Sequence, residues 1–309
     1  MKRYRLFLPA VVCIVVALAG CHSLVEDTFA AYAEKPVLNA VLQSDSIIRV
    51  NLSFTANLGD SALVFVENAT VEIQSTEGWT EKLTYIDNGL YESEHIAKAN
   101  ETYTCRAKIN GYPLVTASTT VPAPTAIGAV IFTPTASKDE EGLDVASIRF
   151  PIVNHPNRSL YWEVRMLEER ERYNSYLRGE ELSIEKTYIY MQAGNDLVLQ
   201  NEALPLTVFS NKRMTGNTYE VLFYIPWWSI GMISNGEPMI NPDTEFYIEL
   251  ISADESYYRY KKQEYLYETS GGTGFGSSTQ SYSLYSNVKN GLGIFTSFTS
   301  VRKQVEFNK

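Results

Sequence analysis

Apolar and polar residues alternate strictly through Ile48-Arg49-Val50-Asn51-Leu52-Ser53-Phe54, the period of a strand buried on one face. Val71 and Ile73 repeat the pattern, and Leu83 and Tyr85 follow. Tyr103, Cys105, Ala107 and Ile109 share one face, and Val115, Ala117, Thr119 and Val121 form a return strand. Turn chemistry punctuates these runs: Asp87-Asn88-Gly89 and Asn110-Gly111 both suit tight hairpins. About seven short strands within about 90 residues predict an immunoglobulin-like β-sandwich over residues 36–121.

Val121-Pro122-Ala123-Pro124-Thr125 interrupts the pattern. Two prolines in so short a run disfavour helix and stiffen the chain, so residues 122–127 read as a linker. Residues 128–309 predict a second β-rich domain with one or two short helices. Its expected strands are 128–133, 147–153, 159–166, 187–192, 218–225 and 245–251. The charge-dense run from Leu167 to Glu181 reads as a short exposed helix or a long loop. Ser252-Ala253-Asp254-Glu255 matches a capping box that opens a tyrosine-rich helix over 255–268. A Gly/Ser-rich stretch, 270–283, reads as a loop before a last hairpin that ends near Val305.

The N-terminus differs from everything after it. Lys2, Arg3 and Arg5 precede an apolar run from Leu6 to Ala19. At about 14 residues that run fits a signal-peptide core and falls short of the ~20 that span a bilayer. Leu18-Ala19-Gly20-Cys21 then resembles a bacterial lipobox, in which small residues admit the peptidase and the Cys thiol accepts a diacylglycerol. The expectation is a signal peptide over 1–20, lipidation at Cys21 and a tether over 21–35. Acyl chains contribute roughly 0.8 kcal/mol per buried CH₂, so a lipidated Cys21 anchors the chain to a membrane without a spanning helix.

The cysteine count follows from this. Cys13 leaves with the signal and Cys21 is acylated, so Cys105 is unpaired and reads as a small buried hydrophobe. The formal net charge of −10 disfavours a broad interface with nucleic acid phosphates. Tyrosine is abundant, with 21 residues against 4 Trp and 13 Phe, and its apolar body with a polar tip suits exposed sheets and interfaces.

Candidate chemistry is sparse. His22, His95 and His155 are not at metal-ligand spacing, and no metal or cofactor site is expected. No Gly-x-Ser-x-Gly occurs in a strand-turn-helix context, so no catalytic residue is assigned. The acidic loop Lys138-Asp139-Glu140-Glu141-Gly142 lacks EF-hand spacing and reads as solvated. The Gly271–Gly276 run lacks the Lys-Ser/Thr ending of a phosphate loop. The candidates for ligand or partner contact are Trp227, Trp228, Tyr257, Tyr258 and Tyr260, with core packing as the competing role for each.

Four features in order resemble the Bacteroidota lipoproteins grouped as domain-of-unknown-function family 4249. They are the lipobox Cys followed by Pro36-Val37-Leu38-Asn39-Ala40; the strand Val66–Ile73 with Gly89-Leu90-Tyr91; Tyr257-Tyr258-Arg259-Tyr260 after a Leu-Ile-Ser strand end; and Tyr285–Phe295. The last is the most specific. The resemblance implies an exported lipoprotein, commonly encoded beside a TonB-dependent outer-membrane transporter, and carries no catalytic residues. The expected function is a lipid-anchored outer-membrane binding or accessory component of a TonB-dependent system that takes up an unknown nutrient. It would sit at the cell surface, or alternatively on the periplasmic face. The competing readings are a structural or adhesive surface protein and, further off, a surface hydrolase.

Overall fold

A computed structural model describes residues 33–56, 62–173, 182–200, 204–230, 232–234, 237–239, 244–270 and 283–306. The chain is mainly β, and Lys35–Lys309 form one compact unit. The strict alternation after Ile47 becomes β2 (Ile47–Phe54), which pairs antiparallel with β1 (Pro36–Gln43). Ile48, Val50 and Leu52 are fully buried, whereas Arg49 points outward to Glu92 at 2.6 Å. The hairpin of β5 (Thr84–Tyr85) and β6 (Leu90–Ile96) extends this sheet, turning at Asn88 (φ 43°) and Gly89 (φ 74°).

A second sheet faces the first. It contains β3 (Thr70–Ser75), β4 (Thr80–Lys82), β7 (Thr102–Lys108) and β8 (Val115–Thr120), in the order β4-β3-β7-β8. Leu38, Leu52, Val71, Ile73, Tyr103 and Cys105 meet between the two layers. Each such side chain contributes about 1.5–3 kcal/mol by leaving water. Cys105 is fully enclosed, and burial alone pushes its thiol up to about 12, so it stays protonated and packs as a hydrophobe.

The later strands are β9 (Ile131–Lys138), β10 (Asp144–Val153), β11 (Tyr161–Tyr173), β12 (Leu182–Ile189), β13 (Val208–Ser210) and β14 (Thr218–Pro226). Then come the small hairpin β15 (Met232–Ser234) and β16 (Glu237–Met239), followed by β17 (Thr244–Ala253), helix α1 (Glu255–Ser270) and β18 (Phe295–Gln304). Strands β14-β10-β9 form a three-stranded sheet. Its residues Ile148, Phe150, Val221 and Phe223 close a second core against Trp162 and Val164 of β11 and against β17.

The two cores share one sheet. β18 pairs antiparallel with β17 and parallel with β1, so the order β12-β11-β17-β18-β1-β2-β6-β5 is continuous, with β13 also on β11. The segment before β18 clasps β1. Leu292 N–H donates to Pro36 O (2.8 Å), Leu38 N–H to Leu292 O (2.9 Å) and Ala40 N–H to Ile294 O (2.7 Å). Asn287 acts as a substitute strand edge for Phe295: its Nδ2 donates to the Phe295 carbonyl (2.7 Å), and its Oδ1 accepts the Phe295 N–H (2.9 Å). Gly293 has φ 108°, and a Cβ there would lie 2.2 Å from the Leu38 carbonyl oxygen. The backbone contact therefore requires glycine.

Three expectations need revision. The charged run after Leu167 is neither helix nor loop through Tyr173. It continues β11, where Glu169 meets Lys186 (3.1 Å) across β12 and Arg302 (2.6 Å) on β18. The expected strand 187–192 lies earlier, as β12 ends at Ile189. Ser252 does not cap α1. It lies within β17 and donates to Thr125 Oγ1 (2.9 Å), fastening the Pro-rich segment. The cap is Asp254, whose Oδ1 accepts the Tyr257 N–H (2.8 Å). Thr119 Oγ1 donates to its other oxygen (2.6 Å), and Thr296 Oγ1 to Oδ1. Burial nevertheless outweighs these hydrogen bonds and holds the Asp254 carboxyl above its usual range.

Gly293→Ala should destabilise the fold by about 3 kcal/mol or more, because β1 must shift to admit the methyl. Gly78 also has positive φ but open space around it, so Gly78→Ala should show only the backbone penalty of about 1–2 kcal/mol. Urea unfolding of the two variants checks the difference. A second expectation concerns pH. The raised Asp254 carboxyl binds its proton more tightly in the folded chain, so its contribution is favourable at low pH and is lost as pH rises from about 3.8 through the folded value. Asp254→Asn keeps the cap and lets Thr119 turn its hydroxyl toward Ser297. Relative to wild type, the variant should therefore gain stability between pH 4 and 7 in urea titrations.

Candidate functional site

The longest strand, β11, is flanked unequally. One edge pairs with β17 along Tyr161–Arg170. On the other edge β13 takes Tyr161–Glu163 and β12 takes Met166–Tyr173, so the two partners part at Val164 and Arg165. Residues 190–200 lie outside β12 and the sheet, and at 207 the chain is back beside β11, where Thr207 O accepts the Val164 N–H at 3.1 Å.

Local chemistry fixes that excursion. Gln192 and Tyr224 exchange two backbone hydrogen bonds of 2.8 Å, tying it to β14. Asp196 Oδ1 accepts the Val198 N–H (2.8 Å), and its Oδ2 accepts the Tyr219 hydroxyl. That bond and burial push the Tyr219 phenol well up. Gly194 has φ 55°, and a Cβ there would meet the Tyr224 ring at 2.6 Å. Met191 and Leu199 anchor the segment in the second core. Two concavities remain, sharing Met191. One of about 380 Å³ lies against Glu163, Arg165, Tyr188 and Thr207. The other, of about 460 Å³, lies against Tyr190, Gln192, Asn195, Gln200 and Leu206. Both fall in the size range of small-molecule sites.

The first concavity has a charged wall. Arg165 makes a two-pronged contact with Glu163 (2.9 and 3.0 Å) and donates to the Tyr257 hydroxyl (2.7 Å), which donates in turn to Glu163. Glu249 stands 3.9 Å from the guanidinium, which also lies 5.6 Å from the exposed Tyr188 ring. Burial works against the Arg165 charge, but Glu163 outweighs it and keeps the side chain protonated. Burial and the Glu163 charge likewise push the Tyr257 phenol far up. Together the four residues form a network in which the Glu163 and Glu249 carboxylates offset the Arg165 cation.

The sequence candidates separate into three places. Trp227 is buried in the second core, meets Phe132 edge-on at 6.4 Å and donates its Nε1–H to Pro134 O (2.7 Å). Trp228 is 69 % exposed and stacks with Tyr190, centroids 6.1 Å apart and planes 18° apart. Tyr257 is buried under α1 with Val208 and Ile251, where it joins the Arg165 network. Tyr258 is half-buried against Tyr161 at 5.1 Å. Tyr260 is half-buried, its phenol pushed up by burial and by Glu264. None of the five is a lining residue of either concavity; Trp228 stacks on the lining residue Tyr190, and Tyr257 bonds the lining residue Arg165. Cys21 and the Gly271–Gly276 run lie outside the described residues.

Sequence reasoning passed over Tyr188, Tyr190 and Gln192, which line the concavities. Their signal was the spacing Tyr188-x-Tyr190-x-Gln192, which puts three polar-tipped side chains on one face of an extended segment. Arg165 and Glu163 had the same spacing on β11.

Ser93 Oγ and His95 Nδ1 both bond Glu81 Oε2, the latter at 2.8 Å. Ser93 therefore faces the carboxylate and not an imidazole base. Burial raises the Glu81 carboxyl, but the Glu94 N–H, Ser93 and His95 outweigh it and hold it low. The His95 ring stacks on Trp79 at 4.1 Å, which makes the group a surface clasp. Among the described residues no group of three or more His, Cys, Asp or Glu could hold a metal ion. The acidic loop closes on itself, with Lys138 on Asp144 at 3.0 Å and Asp139 accepting the Leu143 N–H at 2.8 Å.

Trp227→Ala should cost about 3–5 kcal/mol by leaving a cavity, whereas Trp228→Ala should stay within about 0.5 kcal/mol of wild type. Thermal unfolding of the pair measures this.

Residues 25–304 match the protein family described as Domain of unknown function (DUF4249). No curated protein matches the chain.

Proposed function

The chain belongs to the DUF4249 family, and from that premise we propose that it is a lipid-anchored binding module serving a TonB-dependent transporter of the outer membrane. Its role is to capture a nutrient and present it to the transporter. The observation that carries the reading is the pairing, in one chain, of a lipidation motif at Leu18–Cys21 with a ligand-sized, pre-shaped groove on β11 and β12. The motif supports retention at a membrane, and the groove supports capture there. Among the described residues no helix is long and apolar enough to cross a membrane, so the lipid is the anchor in this reading.

Two features favour binding over a purely spacing role. The groove is held by backbone bridges and a half-buried ionic network, which lowers the ordering cost of ligand capture. Tyr188, Tyr190 and Trp228 are each more than 40 % exposed around it, an arrangement that packing alone does not require.

Wild-type cells grown with labelled palmitate should yield a labelled protein in the outer-membrane fraction. Cys21→Ser should abolish the label and release the protein from that fraction. Affinity purification of the wild-type chain from detergent-solubilised envelope should then recover a β-barrel transporter. Labelling without any co-purifying barrel would leave the anchor standing and defeat the transporter role, favouring an adhesive surface protein.

A further inference from the structure

The outermost strand of a sheet presents a row of unpaired N–H and C=O groups, and folded proteins blunt such edges. Among the described residues, the terminal strands here are blunted in recognisable ways, with one exception. β5 has two residues, and β4, β13, β15 and β16 have three each. β9 carries Pro134, and its pairing with β10 loses register between Val145 and Ser147. β8 is closed by Lys289, which exchanges two backbone hydrogen bonds with Thr116 (2.8 and 3.2 Å), and β14 is closed by Gln192 at Tyr224. The exception is β12. It runs for eight residues with no proline and no register shift against β11, and it stands last in the order of the main sheet.

The pairing fixes which of its groups point outward. Val164 N–H donates to Thr207 O, so Val164 faces the edge of β11 that β13 and β12 share. Amide direction alternates along a strand, so Met166, Glu168 and Arg170 face that edge too, where they meet Ile189, Thr187 and Glu185. Ile184, Lys186 and Tyr188 therefore turn their N–H and C=O away from β11. Residues 184–188 are exposed without interruption, Ile184 at 59 % and Tyr188 at 62 %, so both faces of the strand are open beside this edge. Lysine is a common guard of exposed edges, but Lys186 leans back to Glu169 on β11 at 3.1 Å.

We propose that the outer edge of β12 is a docking edge, to which an extended segment of a partner protein adds as a further antiparallel strand. Outward amides and carbonyls at strand spacing are complementary to an extended backbone. Ile184 and Tyr188 flank Lys186 on one face, so the segment sets apolar or β-branched side chains opposite both and a polar one between them. A second copy of the chain fits less well. The self-paired register that sets Ile184 against Tyr188 also sets Lys186 against Lys186, and the formal charge of −10 opposes self-association. The inference deepens the proposed function and rests on it for the owner of the segment, the transporter.

The probe is the acetylated and amidated heptapeptide Thr-Val-Thr-Thr-Thr-Val-Thr, titrated into the isotope-labelled full-length chain in detergent and followed by NMR. Its even positions oppose Ile184, Lys186 and Tyr188 and turn their amides toward β12. It should bind more tightly than about 1 mM and slow amide exchange at those residues. N-methylation of the even positions should weaken binding at least tenfold, whereas N-methylation of the odd ones should not. Ile184→Pro and Lys186→Pro each remove an outward amide, which an edge strand tolerates, so each should weaken the peptide at least tenfold with a near-wild-type melting temperature. Should either variant fail to fold, the two methylated peptides still decide the question on the wild-type chain. Binding weaker than that level, equal binding of both methylated peptides, or a dimer of the free chain in analytical ultracentrifugation that Lys186→Pro dissociates would overturn the proposal. Purification from solubilised envelope separates the two claims. A barrel recovered with wild type and lost with Lys186→Pro supports both. A barrel still recovered with Lys186→Pro keeps the transporter role and overturns β12 as its docking edge. Peptide docking with no barrel recovered from wild type keeps the edge and defeats the transporter as the owner of the segment.

Discussion

The parallel pairing of β18 with β1 is the constraint on which the rest depends. Without it the first core loses Phe295 and Val288, and the main sheet ends at β18 on one side and β1 on the other. Parallel neighbours cannot be joined by a tight turn, so this seam is closed by residues far apart in sequence. The chain answers with side chains that imitate backbone. Asn287 supplies a donor and an acceptor to Phe295, and Asn39 Oδ1 accepts the Ile294 N–H at 3.1 Å. Asp254 lies at the same junction and ties β8, β18 and α1 together. One buried carboxylate therefore fixes where the helix starts and how the first core meets the second half of the sheet.

The groove inherits its rigidity from that seam. β17 is held by β18 and presents its full length to β11, which leaves the opposite edge of β11 for two partners. Their divergence is a topological event, and a crevice beside it follows from the backbone path as much as from side chains. Among the described residues that line the two concavities, none falls in Tyr285–Phe295. Its asparagines and glycines are committed to the clasp: Asn290 Nδ2 bonds Leu114 O at 2.9 Å, and Gly291 passes close to Pro36 O. These residues therefore serve the fold of the main sheet.

The legibility of the sequence divides along the same line. Period-two runs in residues 36–121 translate directly into strands because one face of each is buried and the other solvated. Asp87-Asn88-Gly89 specifies its turn locally, and so is readable locally. The charged run after Leu167 misleads because its strand is stabilised by Lys186 and Arg302, residues on other strands that no local window contains. Ser252 is a sound cap by pattern, yet Asp254 is better placed once β17 runs through Ala253. The tryptophan pair shows the same limit. Adjacent residues at the end of β14 take opposite fates, because Pro134 O and Phe132 wait on one side and open solvent lies on the other.

The two concavities also divide the work of binding in physical terms. On the Arg165 side, charges are satisfied within the protein, so a ligand gains little there from ion pairing and would disturb a closed network by competing for it. On the Gln192 side, polar groups are held in place but not consumed. The charged wall acts as a stiff support beside the Tyr188 ring. The stacked Tyr190–Trp228 pair stands beside the second concavity, where two backbone hydrogen bonds tie Gln192 to β14, so the backbone path of the neighbouring sheet fixes this wall.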